Sequence, residues 1–121
     1  MQQILLDTNV LLLPVQRKVD IFDELRDAEL LVLASSIREL EQLSKGKGRP
    51  GAQAKATLQL LRSRNISILP TKLRGDSAIM QYARANPSVT VATNDKQLIK
   101  ALQAKGITIL RLRQKKYFIE E

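Results

Sequence analysis

Three acidic residues sit where short apolar runs end: Asp7 after Ile4-Leu5-Leu6, Asp95 after Val89–Asn94, and Glu39 just past Leu30–Ala34. A fourth, Asp76, opens a segment with helical spacing. If the apolar runs are parallel strands, their carboxyl ends share one edge of a sheet, and these carboxylates gather in one crevice. The rest of the chain is basic, with 20 Lys and Arg against 12 Asp and Glu and a formal net charge of +8. Acid collected in the pocket of a basic protein is what metal-dependent cleavage of a polyanion requires.

Two absences narrow the chemistry. The 121 residues contain no Cys, which excludes disulfides, zinc ribbons and thiol nucleophiles. They contain no His either, which removes the commonest general base and any Ser-His-Asp triad. A metal would therefore be held by oxygen ligands, a donor set that suits magnesium or manganese better than zinc or copper.

Each carboxylate also has a purely structural explanation. Asp76 and Asp95 can cap helices, Ser36-Ile-Arg-Glu39 fits a capping box, and Asp7-Thr8-Asn9 can form an Asx turn. The distribution weighs against these as the whole account. Of the 12 acidic residues, five lie in the Asp20–Glu29 segment and two end the chain, which leaves Asp7, Glu39, Glu41, Asp76 and Asp95. Ser, Thr or Asn caps a helix about as well as Asp, so capping does not require charge. Like charges that converge are costly unless a cation lies between them. Glu39 and Glu41 flank the apolar stripe of their helix at similar angles. Glu39 is nearer the preceding strand, and Glu41 is expected to pair with Lys45 four residues on.

The elements that must position these groups are short. Strand-length apolar runs recur at Ile4–Leu6, Leu30–Ala34, Ile66–Leu69, Val89–Thr93 and Ile107–Leu112. Helical spacing falls between them, carried by Val19-Ile21-Phe22-Leu25, Ile37-Leu40-Leu43, Ala54-Leu58-Leu61, Ile79-Tyr82-Ala83 and Leu98-Ile99-Leu102. This alternation predicts an α/β fold, a parallel sheet with helices on both faces. The length suits a single domain, 1–121. No apolar run approaches the roughly 20 residues of a membrane span, and the amino terminus carries no leader pattern. A soluble cytoplasmic protein is the expectation.

A pI of about 10.1 points to a polyanionic partner, most simply nucleic acid. Aromatic residues are scarce, with two Tyr, two Phe and no Trp, which argues against base-stacking platforms. Lys45-Gly-Lys-Gly-Arg-Pro-Gly51 alternates cations with glycines between two helical segments. It reads either as a phosphate-binding loop that places Lys45, Lys47 and Arg49 on RNA, or as a solvated connector. A second candidate path for nucleic acid is Arg111, Arg113, Lys115 and Lys116.

Taken in order, Leu5-Leu-Asp-Thr-Asn9, the Arg38-Glu39-Leu40-Glu41 segment, Gly75-Asp76 and Ala92-Thr-Asn-Asp95 resemble the motifs of PIN-domain ribonucleases. Within that family the chain is most similar to short archaeal VapC-like proteins and to the PIN domains of small-subunit ribosomal RNA processing. The resemblance covers essentially the whole chain, through Leu13-Pro14 and the ending Leu112–Tyr117. It implies a three-layer Rossmann-like sheet of order 3-2-1-4-5 and a magnesium- or manganese-dependent endoribonuclease. By motif, Asp7, Glu39, Asp76 and Asp95 match the acidic quartet, with Asp7, Asp76 and Asp95 as metal ligands. Asn9, Thr93 and Asn94 match the polar positions around it. Relatives often carry two acids in the third motif; here Ser77 follows Asp76 and the chain supplies one.

The expected reaction is hydrolysis of a phosphodiester by water that a divalent cation has activated. The resemblance also implies an RNA substrate, a homodimer, and an antitoxin or a ribosome-assembly factor as partner. The rival readings are a non-catalytic RNA-binding module and a structure-specific DNA nuclease. Receiver domains and haloacid-dehalogenase-type phosphatases fit poorly. Pro70-Thr-Lys follows the third run without an Asp, and Asp7-Thr8-Asn9 supplies one Asp where the phosphatases need two.

Overall fold

The computed structural model describes residues 1–113 and 117–120, so Lys115 and Lys116 of the second candidate path lie outside the described residues. In chain order the elements are β1 (Gln3–Leu6), α1 (Thr8–Leu11), α2 (Leu13–Arg17), α3 (Ile21–Glu24), β2 (Glu29–Leu33), α4 (Ala34–Ser44) and α5 (Gly48–Arg62). They continue with β3 (Ser67–Leu69), α6 (Gly75–Ala85), β4 (Thr90–Ala92), α7 (Lys96–Gln103), β5 (Thr108–Arg113) and β6 (Tyr117–Glu120). The sheet order is β3-β2-β1-β4-β5-β6. Its first five strands are parallel and run 3-2-1-4-5, as expected. The sixth was not expected: β6 folds back antiparallel on β5, with Arg111 opposite Ile119 and Leu112 opposite Phe118.

Strand periodicity builds the three layers. Side chains alternate between faces, so Ile4 and Leu6 of β1 join one buried cluster and Leu5 joins the other. In β2, Leu30 and Val32 follow the first pair, while Leu31 and Leu33 follow Leu5. The first cluster packs under α1 to α5 through Leu11, Ile21, Leu40, Ala54 and Leu61. The second packs under α6 and α7 through Ala78, Ile79, Ala83, Leu98, Ile99 and Leu102. A strand buried on both faces reads as a continuous apolar run, which is why these segments show no alternation in sequence.

The chain winds outward from β1 to β3 on one side and from β4 to β5 on the other. The order therefore reverses between β1 and β4, and the crevice of an open parallel sheet opens at such a point. Register fixes what lies there. Leu6 pairs with Ala92, so the next residues, Asp7 and Thr93, emerge side by side. The Asp7 amide still donates to the Ala92 carbonyl at 3.0 Å, and the Thr93 amide donates to Leu110 at 3.1 Å.

Two local expectations change. Residues Lys45–Gly51 are not one loop: α4 ends at Ser44 and α5 begins at Gly48, which leaves a tight corner at Lys45–Lys47. Gly51 is buried there, and a Cβ on it would fall on the Gly46 carbonyl. Its missing side chain serves the close packing of α5 on the end of α4 rather than approach to a ligand. The short helices α1 and α2 were not anticipated, because Val10–Leu13 is continuously apolar and shows no period. Among the described residues no helix is long and apolar enough to cross a membrane.

Candidate active site

Asp7 ends β1 and caps α1, with its Oδ1 accepting from the Thr8 amide at 2.8 Å. Its Oδ2 accepts from the Thr93 hydroxyl at 2.8 Å. The Thr93 Oγ1 in turn accepts from the Asp95 amide at 3.1 Å. One fully buried hydroxyl thus ties the end of β1 to the end of β4 and fixes two carboxylate-bearing residues at once. Asp95 caps α7, its Oδ1 accepting from the Leu98 amide at 3.0 Å. The cap uses one of about four lone-pair sites on that carboxylate, so capping and a second role are compatible.

Asp76 lies in the first turn of α6 and is not its cap; that position belongs to Arg74, whose side chain makes no capping bond. Gly75, with φ of +56°, gives the chain the left-handed step that leads into the helix. The structure brings Asp76 near both other aspartates. Burial pushes the Asp7 carboxyl above its ordinary range. The bonds from Thr93 and Thr8 oppose this, and the charges of Asp76 and Asp95 reinforce it. Asp76 is raised as well, first by partial desolvation and then by the Asp95 carboxylate. Three like charges crowd the β1/β4 crevice.

Glu39 reaches the same edge from α4 by another route. Thr8 Oγ1 lies 3.0 Å from Glu39 Oε1 and 2.9 Å from Ser36 Oγ. A hydroxyl has one proton and the carboxylate can only accept, so Thr8 donates to Glu39 and receives from Ser36. The capping box is therefore not formed. Helix α4 starts at Ala34 behind Leu33, and Ser36 faces Thr8 instead of capping. Glu41 has no such bond, and its expected ion pair with Lys45 is absent at 4.0 Å among the described residues. Asn9 and Asn94 are exposed at the same edge.

The donors at this edge are oxygens throughout. Among the described residues no three carboxylates stand close enough to share one ion in these side-chain positions. Their chemistry nonetheless fits a hard divalent cation. Asp7 is held at both oxygens by neutral donors, and the repulsion that raises Asp7 and Asp76 is what a cation would relieve. No basic side chain does so: among the described residues none lies within 4.0 Å of Asp7, Glu39, Asp76 or Asp95.

Beside this edge, α4 and the segment leading into α6 bound a groove of about 700 Å³. Arg38, Lys45 and Arg74 line it together with Glu39. Of the expected RNA-binding trio, Lys45 lines this groove; Lys47 precedes α5 and Arg49 sits exposed in its first turn. Sequence reasoning passed over Arg38 and Arg74, and it read Thr8 and Ser36 as local turn and cap residues. The adjacency of Thr8 to Asp7, and of Ser36 to Glu39 three residues later, was the available signal.

A parallel sheet of order 3-2-1-4-5 with carboxylates gathered at its switch point is the arrangement of a PIN-type domain. The PIN-like domain family matches residues 4–115, and the chain belongs to that family. It is 35% identical to ribonuclease VapC4 of Methanocaldococcus jannaschii over 125 residues, which cover 98% of this chain and 95% of that protein. The PIN domain endonuclease Utp24 superposes with a TM-score of 0.78 at 26% identity, covering 94% of this chain and 87% of that one. A domain of a functionally unknown protein from Methanocaldococcus jannaschii shares the fold, with a TM-score of 0.71 at 17% identity. It covers 100% of this chain and 98% of its own.

Proposed function

We infer that this chain is a PIN-domain endoribonuclease, one domain over residues 1–121, that hydrolyses RNA phosphodiesters with magnesium or manganese. The observation that carries the reading is the convergence of Asp7, Asp76 and Asp95 on the β1/β4 crevice, where desolvation and neighbouring carboxylates both disfavour charge on Asp7 and Asp76. Likeness to VapC4 and Utp24 supports nuclease chemistry, and VapC4 supports RNA.

Asp7, Asp76 and Asp95 would hold the cation, which when bound supplies Lewis-acid activation of water and charge neutralisation at the phosphate. The remaining work belongs to the chain. Thr93 holds Asp7 and Asp95 in fixed relation, which removes reorganisation from the reaction. Thr8 holds Glu39 at Oε1, leaving Oε2 to orient the attacking water and accept its proton. With no His in the chain, a carboxylate is the base available at this edge.

The test is cleavage of single-stranded RNA by purified protein with Mg²⁺ or Mn²⁺. Activity that disappears in excess EDTA and returns with the metal is expected. Undiminished cleavage in chelator overturns the metal assignment, and binding without cleavage under any divalent metal makes this an RNA-binding module. The proposed partner is an antitoxin or a ribosome-assembly factor, and the proposed assembly a homodimer; affinity purification and light scattering address these directly.

A further inference from the structure

The groove between α4 and the start of α6 holds cations that the cleavage chemistry does not use. Arg38, Lys45 and Arg74 converge on it from two separate segments, and none makes an ion pair within 4.0 Å among the described residues. In a folded protein such cations are free to take an anion from solution. Arg38 is also pre-oriented. Its Nη2 donates to the Thr71 carbonyl at 3.0 Å, which pins the guanidinium against the segment preceding α6 and leaves four of its five N–H donors. Leu43 is 41% exposed on the same wall and offers an apolar surface. The groove thus offers cations to a phosphate and an apolar side chain to a base, the two groups that a nucleotide presents.

The volume also fits. About 700 Å³ lies within the range of pockets that enclose small ligands, roughly 300–1,000 Å³, and accommodates one or two nucleotides rather than a duplex. The groove abuts the carboxylates at both ends of its lining, through Glu39 on α4 and through Gly75, the neighbour of Asp76. Glu39 and Glu41 line the groove as well, and among the described residues neither pairs with Arg38, Lys45 or Arg74 within 4.0 Å.

We propose that this groove is the RNA-strand subsite of the enzyme: Arg38, Lys45 and Arg74 bind the backbone phosphates flanking the cleaved bond, and Leu43 supports the adjacent base. The proposal rests on the ribonuclease reading above and goes beyond it by assigning the strand's path. It also excludes Lys47 and Arg49, which belong to the start of α5 and do not line the groove.

The experiment compares Arg38→Gln/Lys45→Gln/Arg74→Gln with Lys47→Gln/Arg49→Gln, using a fluorescein-labelled single-stranded RNA 12-mer as probe in EDTA. Each lost phosphate contact flattens the log K against log salt slope by about 0.7, so three reduce it by about 2 and weaken binding roughly a hundredfold at 0.1 M salt. The Lys47/Arg49 variant is expected to bind within about threefold of wild type, because neither side chain lines the groove and exposed charges are partly screened. Single-turnover cleavage at saturating RNA in Mn²⁺ should stay at the wild-type rate in the Lys47/Arg49 variant and fall in the groove variant, whose lost cations hold the phosphates beside the cleaved bond. Arg38 also bonds to Thr71, so Lys45→Gln/Arg74→Gln serves as a second variant with that bond retained. Two lost contacts predict a slope change of about 1.4 and roughly 25-fold weaker binding. Unchanged slopes in both groove variants, or an equal loss in the Lys47/Arg49 variant, overturn the groove while leaving the nuclease intact. Wild-type protein that neither binds nor cuts RNA overturns the ribonuclease reading and the subsite with it.

Discussion

Replacing Thr93 with Val tests the junction on which the candidate site depends. The two side chains are nearly isosteric, so packing at this fully buried position is preserved and the hydroxyl alone is lost. That hydroxyl makes two bonds, one donated to the Asp7 carboxylate and one accepted from the Asp95 amide. A bond to a charged group contributes about 1.5–3 kcal/mol and a neutral one about 0.5–1.5, so a loss of roughly 2–4 kcal/mol is expected. For a domain of this size that corresponds to a fall in Tm of roughly 6–20 °C. The effect should depend on pH. The bond from Thr93 lowers the Asp7 pKa, which burial already raises above 3.8; without it Asp7 rises further. The folded protein then holds that proton more tightly than the unfolded chain, and stability falls as pH climbs from 3.8 through the folded value. The deficit against wild type should therefore be largest at neutral pH and shrink in acid. Misplacing two carboxylates at once should also cost roughly a hundredfold in RNA cleavage. Thr93→Ser restores the hydroxyl at a cost of about 1 kcal/mol for the missing methyl, and should keep most of the activity. Differential scanning calorimetry at two pH values, beside single-turnover kinetics, reads all of this. A Val variant with wild-type Tm and rate would refute the reasoning.

Asp95→Asn retains an oxygen to cap α7, so helix and fold should survive while cleavage drops by at least a hundredfold; near-wild-type turnover would reduce Asp95 to a cap. In metal-free buffer the stability of the wild-type protein should decline as pH rises above 3.8 through the raised Asp7 titration, and Asp7→Asn should flatten that decline. A thermal-melt series against pH that is identical in the two proteins would remove Asp7 as its source. Thr8→Val, which leaves Ser36 and Glu39 without their shared partner, should lower kcat about tenfold with little change in RNA affinity. An affinity loss with kcat intact would place Glu39 in binding instead.

The fold was legible where burial writes a continuous apolar run. All five parallel strands lie within two residues of those runs at each end; β1, β2 and β4 are covered on both faces and tolerate little else, while β3 keeps an apolar run although Ser67 and Ile68 are exposed. The α4–α5 corner was misread for the opposite reason: Gly51 looks like flexibility in sequence but fills a contact with the Gly46 carbonyl. Ser36 illustrates the limit of local rules. Ser36-Ile-Arg-Glu39 matches a capping box in spacing, yet helix α4 starts two residues earlier, and Ser36 turns to Thr8 across 28 positions of sequence. The basic groove was illegible altogether, since Arg38 and Arg74 meet only once α4 and α6 are placed.

What separates this edge from ordinary helix capping is where the chain keeps its cations. A protein of net charge +8 has 20 basic side chains with which to neutralise buried acid. Among the described residues none of them comes within 4.0 Å of Asp7, Asp76, Asp95 or Glu39. Arg38, next to Glu39 in sequence, turns to the Thr71 carbonyl instead. Asp7, Glu39 and Asp95 accept from hydroxyls and amides, donors that orient a carboxylate without cancelling its charge. Stability alone would favour Asn at Asp7 and Asp76, where desolvation and repulsion both disfavour the ionised form. A residual negative field, fixed in place and left unpaired, raises the free energy of the empty protein and strengthens its hold on a divalent cation. The same separation leaves the neighbouring cations for phosphate, so that one short edge of sheet attracts both the metal and the polyanion it would cleave.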